Sequence, residues 1–146
     1  AVVPNFALGA VLLIHFAKLA SRYFDAAEII ELHHDGKLDA PSGTALATAE
    51  AMAQARAAPF ATDRTVKRLL EGVRGGALAE VRIHSVRLPG LVAHQEVLFG
   101  GPGQFLTLRH DVTSREAYVP GVLLAIRAIV QRRGLIYGLD ALLGLG

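Results

Sequence analysis

The chain has 146 residues, of which 52% are hydrophobic and 19% charged, with a mean hydropathy of +0.39. This composition excludes a disordered chain, which is poor in apolar residues, and the absence of cysteine excludes disulfides and thiolate metal sites. The 15 basic and 13 acidic residues leave a net charge of +2 with no basic run, so nucleic acid is not expected as a partner.

The first predicted element is a helix from about Asn5 to Phe24, with Asn5 as its N-cap. Its first half is apolar on almost every side, so we expect it to be buried all round. The longest apolar stretch, Phe6 to Ile14, is well short of the roughly 20 residues that cross a bilayer. It also lacks a basic leader and a cleavage signal, so we expect neither a membrane segment nor a secretory peptide.

The rest of the chain alternates between strand and helix patterns. A strand is expected from Ala27 to His34 and an alanine-rich helix from about Thr44 to Ala57. Residues 58–76 are poorly periodic and predict a surface excursion with at most one short element. Further strands are predicted at Val81–Leu88, Leu91–Phe99 and Gln104–Asp111, followed by a helix from Pro120 to Arg133 and a packed apolar tail from Leu135 to Gly146.

The connections between these elements complete the fold prediction. Residues 100–103 read Gly-Gly-Pro-Gly and predict a four-residue hairpin connection. The order of elements predicts a single α+β domain over residues 1–146. We expect a mixed β-sheet of about four strands with helices packed on one face.

Residues 33–44 place two imidazoles, an ammonium group and a helix start in one strand–loop–helix connection, where binding sites often lie. The backbone N–H groups of Gly43 and Thr44 lie at the positive end of the second helix, which binds carboxylate or phosphate. Ser42 and Thr44 can add hydroxyl donors, Lys37 a mobile cation and a histidine a proton near pH 7. The segment therefore predicts a pocket for an acidic small molecule, with proton transfer beside it.

Plainer interpretations of the same residues stay open. Ser42 can simply cap the helix, Lys37 can be a solvated surface charge, and the two histidines can be a strand end without a role. A metal-dependent hydrolase rests only on those histidines, and adjacent strand residues face opposite ways, so no metal ligand is assigned. Three more histidines fall on the later strands, could pair across the sheet, and are interpreted as core or interface residues: His84, His94 and His110.

The stretch from Glu31 to Ala45, ELHHDGKLDAPSGTA, closely resembles the signature of the dihydrodipicolinate reductase (4-hydroxy-tetrahydrodipicolinate reductase) family. Further blocks that resemble the family are Pro4-Asn5-Phe6 with Gly9, Gly72 to Gly75, His84-Ser85-Val86-Arg87, Gly90 with His94-Gln95-Glu96, and Thr113-Ser114-Arg115. The resemblance implies a reductase that converts a cyclic imino dicarboxylate, dihydrodipicolinate, to tetrahydrodipicolinate. It implies NADH or NADPH as the cofactor and a place in lysine and diaminopimelate biosynthesis.

By this resemblance, His33 is the acid/base group and Lys37 is the proton donor. The substrate carboxylates are expected against the following residues: His34, Ser42, Gly43 and Thr44. The nicotinamide end of the cofactor is expected along the first residues of the chain: Val3, Pro4, Asn5 and Phe6. These roles agree with the chemistry of the segment, because hydride delivery at one carbon requires a proton at its neighbour.

The resemblance also implies parts that this sequence does not contain. The family begins with a dinucleotide-binding domain, so residues 1–146 are expected to be the substrate-binding and oligomerising half. The implied assembly is a cytoplasmic homotetramer formed through one face of the sheet, and the isolated chain is expected to lack useful reductase activity. The alternative is a non-catalytic oligomerisation module whose site residues are a relic.

Overall fold

The structure, a computed structural model, describes residues 1–145, so Gly146 of the predicted tail lies outside the described residues. In chain order the elements are α1 (Leu8–Ala20), β1 (Ala26–His33), α2 (Gly43–Gln54), β2 (Gly76–Leu78), β3 (Val81–Arg87), β4 (Ala93–Gly101), β5 (Gln104–Val112), α3 (Val119–Ile129) and α4 (Leu139–Leu143). A 3₁₀ turn, Arg115–Tyr118, leads into α3. Strands and helices are therefore mixed along the chain, and the predicted α+β class is confirmed.

The strands form one mixed sheet in the order β2-β3-β1-β4-β5. β1 runs parallel to β3, whereas the other neighbouring strands are antiparallel. Four strand patterns are visible in the sequence, and the fifth strand, β2, lies at the glycine-rich end of the excursion, where Gly76 is opposite Ile83. Three residues carry too little alternation to predict a strand.

α1 and α2 pack on the same face of the sheet and enclose the main core, as predicted. Its buried residues include Leu13, Ala17, Ala27, Ile29, Ala45, Ala49, Met52, Val81, Ile83, Val97 and Phe99. The strand residues in this set alternate with partly exposed ones, as the two-residue period of a strand requires. Ile29 is at the centre: it lies opposite Ile83 and Val97 and has no exposed surface.

The first helix is shorter and less buried than the sequence predicts. α1 has Ala7 at its N-cap position, so the prediction of Asn5 as the N-cap is wrong. Asn5 Oδ1 instead accepts a hydrogen bond from the Ala7 N–H at 2.8 Å, which forms a turn before the helix. Burial on every side is also wrong, because Phe16 and Leu19 are 49% and 50% exposed. The helix presents one stripe to the core, and much of its apolar surface stays open.

β4 and β5 are joined by a tighter turn than the sequence predicts. The expected four-residue connection is wrong, because strand pairing continues to Gly101 opposite Gln104 and leaves Pro102 and Gly103 as the turn. Gly103 has a φ of +72°, a left-handed conformation that glycine adopts without strain. α3 ends at Ile129, earlier than the predicted end at Arg133, and turns follow it at residues 130–131.

The start of the chain and its tail meet beside α1. The Val2 N–H donates to the Ile136 carbonyl at 2.8 Å, and the Gly138 N–H donates to the Val2 carbonyl at 2.8 Å. α1, α3 and α4 bury a second apolar cluster at this end: Val11, Ala125, Leu139 and Leu142. The prediction of a packed tail is confirmed for Leu139 and Leu142, whereas Leu135 and Tyr137 are 83% and 67% exposed.

The face of the sheet away from α1 and α2 has a mixed apolar and charged surface. Ile30 and Leu98 are half-buried there and Phe105 is 78% exposed, and these three residues line a hollow of about 400 Å³. The histidines of this face pair with carboxylates rather than with one another: His84 with Glu28 at 2.6 Å and His94 with Asp111 at 2.6 Å.

Candidate functional site

The connection between β1 and α2 forms part of the wall of a cavity of about 630 Å³. His33 ends β1 and Gly43 begins α2, so the loop between them brings both elements to one place. The predicted residues on this wall are His33, Lys37, Ser42, Gly43 and Thr44. The rest of the wall includes α1 and the tail, with His15, Lys18, Tyr137, Gly138 and Asp140. The structure therefore brings together five of the six residues predicted to act on the substrate.

α2 presents its N-terminus to the cavity. The Ser42 hydroxyl oxygen accepts a hydrogen bond from the Ala45 N–H at 3.1 Å, so its role as a helix cap is confirmed. The N–H groups of Gly43 and Thr44 lie in the first turn, where an α-helix offers no internal acceptor. A methyl group at position 43 would meet nothing within 4 Å. Gly43 and Thr44 also line the cavity, so this helix end can meet a ligand oxygen there, in the geometry that suits an anion.

His33 contributes an imidazole whose two nitrogens lie in different surroundings. Nδ1 is 2.5 Å from Glu31 Oε2, and the ring is 16% exposed. Burial, together with the nearby cations of Arg87 and Lys37, outweighs the Glu31 carboxylate and lowers the pKa of His33 below its ordinary value of 6.5. The ring is therefore neutral near pH 7, and Nε2 is the nitrogen left for a ligand in the cavity.

Lys37 brings a cation to the same wall. Its Nζ donates to Asp39 Oδ1 at 2.8 Å, and Asp39 is 67% exposed. An ion pair at the surface of a loop is weak, because water screens it. A ligand carboxylate inside the cavity can therefore compete with Asp39 for the ammonium group of Lys37.

The first residues of the chain are divided among three environments. Pro4 and Asn5 line the main cavity, and Asn5 Nδ2 donates to Thr44 Oγ1 at 3.4 Å. Phe6 lines a second cavity of about 320 Å³, which Pro4 and Asn5 also line. Val3 lines neither cavity and packs, like Phe6, against the apolar cluster of α1, α3 and α4. Contact with the nicotinamide end of a cofactor stays a prediction for all four residues.

His34 is the predicted substrate residue that does not lie on the cavity wall. It is exposed and belongs to a turn in which the Lys37 N–H donates to the His34 carbonyl at 3.2 Å. Neighbouring residues at a strand end place their side chains on opposite sides, so His33 reaches the cavity and His34 does not. Its role in holding a carboxylate stays a prediction.

Two basic residues of the wall, His15 and Lys18, are missed by the sequence reasoning. They are three residues apart on α1, a spacing that places both on one face of a helix. Two basic groups at that spacing in an otherwise apolar helix indicate a polar face. The prediction that α1 is buried on every side left no place for such a face. Asp140 of the tail was also missed, and its place on the wall depends on a contact between the two ends of the chain.

Glu31 and Arg87 are the other site residues that the sequence reasoning misses. Glu31 occupies an inward position of β1, in line with Ala27 and Ile29, and has no exposed surface. A carboxylate at a core-facing strand position is itself a signal, because such a group is buried only when it is paired. Its partner Arg87 follows 56 positions later, at the end of β3.

His110, the histidine of β5, packs onto Gly9 of α1, where a Cβ would overlap its ring. Within residues 1–145, no three histidine, cysteine or acidic side chains are grouped so as to hold a metal ion. In the same part of the chain, no helix combines the length and apolar character needed to cross a membrane.

Comparison with known proteins identifies the family. Residues 9–143 match the family described as "Dihydrodipicolinate reductase, C-terminus". The chain is 59% identical over 142 residues to the 4-hydroxy-tetrahydrodipicolinate reductase of Moorella thermoacetica, and 58% identical over 144 residues to that of Dehalococcoides mccartyi. These alignments cover 97% and 99% of this chain but 53% and 54% of the relatives. The chain thus spans about half the length of the curated relatives it matches.

A solved structure gives the same result. The "Dipicolinate bound Dihydrodipicolinate reductase from Paenisporosarcina sp. TG-14" is 51% identical and superposes with a TM-score of 0.88, covering 95% of this chain and 52% of that chain. The resemblance carried by residues 31–45 is therefore confirmed. The chain belongs to the dihydrodipicolinate reductase family, and it contains the C-terminal part of that family's sequence.

Proposed function

We propose that this chain is the substrate-binding half of an NAD(P)H-dependent reductase that converts dihydrodipicolinate, a cyclic imino dicarboxylate, to tetrahydrodipicolinate in lysine and diaminopimelate biosynthesis. The observation that carries the proposal is the single cavity wall that holds His33, Lys37 and the N-terminus of α2. The names of the relatives, and the dipicolinate bound to the protein from Paenisporosarcina, support this choice of substrate class.

The two carboxylates of the substrate are held by different kinds of donor. One accepts hydrogen bonds from the backbone N–H groups of Gly43 and Thr44, with the hydroxyls of Ser42 and Thr44 beside them. The other carboxylate pairs with the ammonium group of Lys37, whose ion pair with Asp39 is then exchanged for one with the substrate. His34 contributes only if its exposed side chain turns toward the cavity. A volume of about 630 Å³ is ample for a single ring with two carboxylates.

The reaction adds one hydride and one proton across a double bond. NADH or NADPH, when bound, would supply the hydride. Lys37 supplies the proton and regains one from water, since its side chain is 23% exposed. His33 is neutral near pH 7 because its pKa is lowered, so Nε2 accepts a hydrogen bond from the substrate or from Lys37 and orients the group that donates it.

The chain supplies only part of a dinucleotide site. Pro4 and Asn5 are on the cavity wall, and with Val3 and Phe6 they would lie along the nicotinamide end of NADH or NADPH. The 146 residues contain no GxGxxG sequence, the fingerprint that holds a pyrophosphate at a helix N-terminus. The phosphates therefore require a domain outside this sequence, which is why the isolated chain is expected to be inactive.

The open face of the sheet is the proposed site of assembly into a homotetramer. Phe105 is exposed there beside half-buried Ile30 and Leu98, and apolar groups of this kind are commonly covered in an interface. A cytoplasmic location, where NADH and NADPH are available, belongs to the same proposal. The surface also favours the second candidate function, a non-catalytic oligomerisation module. Light scattering that shows only a monomer removes this second candidate.

Calorimetric titration with pyridine-2,6-dicarboxylate tests the substrate site. We expect binding at millimolar ligand or below, weakened at least about ten-fold by Lys37→Ala, because a hydrogen bond to a charged group contributes about 1.5–3 kcal/mol. Lys67→Ala removes the same charge from an exposed position away from the cavity and is the matched control. No heat in the wild type, or equal affinities for the two variants, contradicts the proposal.

Activity is tested by joining this chain behind the half of the Moorella relative that it does not match. We expect the fusion to oxidise NADH or NADPH only when dihydrodipicolinate is present, and His33→Ala to abolish that oxidation while leaving the fusion folded. A fusion that binds pyridine-2,6-dicarboxylate but never oxidises the cofactor would favour the oligomerisation module with a relic site.

A further inference from the structure

Glu31 is a buried carboxylate behind the cavity, and each of its oxygens has two partners. Oε2 lies 2.5 Å from His33 Nδ1 and accepts a hydrogen bond from Arg87 Nη1 at 2.9 Å. Oε1 accepts from Arg87 Nη2 at 2.8 Å and from the backbone N–H of Ser42 at 3.1 Å. One side chain therefore joins the end of β1, the end of β3 and the start of α2.

Arg87 keeps this carboxylate charged. Burial by itself raises the pKa of Glu31, but the hydrogen bonds from Arg87 and His33 hold that pKa below its ordinary value of 4.5. An ionised carboxylate has no proton to donate. The hydrogen bond between Glu31 and His33 must therefore carry its proton on Nδ1, which leaves Nε2 of the neutral ring without one.

Arg87 also reaches the loop that carries Lys37. Its Nη2 donates to the backbone carbonyl of Asp39 at 2.8 Å. The Arg87 side chain is only 18% exposed, and its contact with the Asp39 carbonyl lies at the surface. The pair of Glu31 and Arg87 thus touches the strand end, the loop and the helix start, which are the three segments that supply the proposed catalytic and substrate groups.

We propose that Glu31, held by Arg87, is a positioning residue that sets His33 as the Nδ1–H tautomer with Nε2 available to the substrate, and fixes the helix start beside it. This inference rests on the proposed function, because the ring it orients is the proposed acid/base group. Neither Glu31 nor Arg87 lines the cavity, so both act through His33, Ser42 and the loop.

The same strand carries a second set of these residue types, which serves as an internal control. On the open face, Glu28 pairs with Arg74 through hydrogen bonds of 3.2 and 2.7 Å and lies 2.6 Å from a histidine, His84. There the histidine uses Nε2 rather than Nδ1. The same reasoning therefore gives opposite tautomers for the two rings: Nδ1–H for His33 and Nε2–H for His84.

Long-range ¹H–¹⁵N correlation spectra of the ¹⁵N-histidine-labelled chain, recorded at about pH 8, distinguish the tautomers. His33→Gln and His84→Gln assign the signals. We expect a protonated Nδ1 in His33 and a protonated Nε2 in His84. This wild-type measurement needs no variant to keep its fold at Glu31, so it tests the inference directly.

Removing the charge of Glu31 tests the positioning role. Glu31→Gln is expected to lower the pKa of His33 by about one pH unit or more, because an opposite charge in contact is lost. It is also expected to weaken pyridine-2,6-dicarboxylate binding about ten-fold. Glu28→Gln should leave the His33 signals and this affinity unchanged. Glu31→Gln leaves the partly buried charge of Arg87 without its partner. The tautomer and binding measurements are therefore repeated on the double variant Glu31→Gln, Arg87→Met, which lacks that unpaired charge.

The outcomes separate the two proposals. Absence of pyridine-2,6-dicarboxylate binding in the wild type overturns the proposed function. Binding in the wild type with His33 as the Nε2–H tautomer overturns the positioning role alone. The positioning role is likewise overturned if the folded Glu31 variants keep both the wild-type His33 tautomer and the wild-type affinity.

Discussion

Replacing Ile29 with alanine removes three carbon atoms from the centre of the sheet. The side chain has no exposed surface and lies opposite Ile83 and Val97 on the two neighbouring strands. At about 0.8 kcal/mol for each buried carbon, the lost transfer free energy is about 2.4 kcal/mol. The cavity left in a packed core adds to this loss, so we expect the free energy of unfolding to fall by about 3–4 kcal/mol.

Ile30→Ala removes the same atoms from the next residue of β1, on the opposite face, and is the matched control. Ile30 is only half-buried and lines the open hollow of the sheet, so we expect a loss of about 1 kcal/mol. Urea denaturation followed by circular dichroism measures both values. If copies of the chain assemble through this face, the Ile30 effect grows with protein concentration, whereas the Ile29 effect on the folded chain does not depend on assembly.

Equal losses of unfolding free energy for the two substitutions at low protein concentration would contradict this prediction. A loss of less than about 1 kcal/mol for Ile29→Ala would contradict it as well, since a fully buried isoleucine truncated to alanine typically costs about 2–5 kcal/mol. Either result would mean that the face covered by α1 and α2 is not the packed side of the sheet.

Three further predictions concern single positions. In thermal denaturation, Gly121→Ala should lower the free energy of unfolding by about 1–3 kcal/mol, because a Cβ at that position overlaps the Phe6 carbonyl. Gly43→Ala is the control: its Cβ would lie in open space, so the free energy of unfolding should change by less than about 0.5 kcal/mol. Ser42→Ala should cost about 1 kcal/mol by the same measurement, because the cap of α2 is lost, and no loss would argue against that cap. Burial lowers the pKa of His110 below 6.5, so the unfolded chain binds more protons than the folded one and the free energy of unfolding falls as the pH drops below about 6.5. His110→Gln should therefore reduce the slope of the free energy of unfolding against pH, measured by urea denaturation between about pH 7 and pH 5. An unchanged slope would contradict the lowered pKa of His110.

Local patterns in the sequence are sufficient for most of the elements and for the centre of the site. The alternation in residues 26–33 reflects a strand with one face in the core, and it can be seen without knowing the neighbours. Residues 33–44 are close in sequence, so a strand end, a short loop and a helix start bring His33, Lys37 and Thr44 together with little help from the rest of the chain. The signature that marks the family lies in the same short segment.

The parts that were missed depend on contacts between distant residues. Glu31 and Arg87 are 56 positions apart and meet only because β1 and β3 are parallel neighbours. Phe16 looks like a core residue in sequence, but whether a side of α1 is covered depends on the elements that pack against it. Periodicity is a property of a few consecutive residues and cannot report such packing.

The amino-acid sequence by itself thus determined which groups could do chemistry: two histidines, a lysine and a helix start within one connection. The tertiary structure decided which of them share a cavity, because His33 turns inward while the adjacent His34 remains in solvent. The tertiary structure also completed the cavity wall with residues of α1 and the tail, and it placed the pair of Glu31 and Arg87 behind the imidazole of His33. These choices depend on strand order and side-chain packing, which arise only when the whole chain folds.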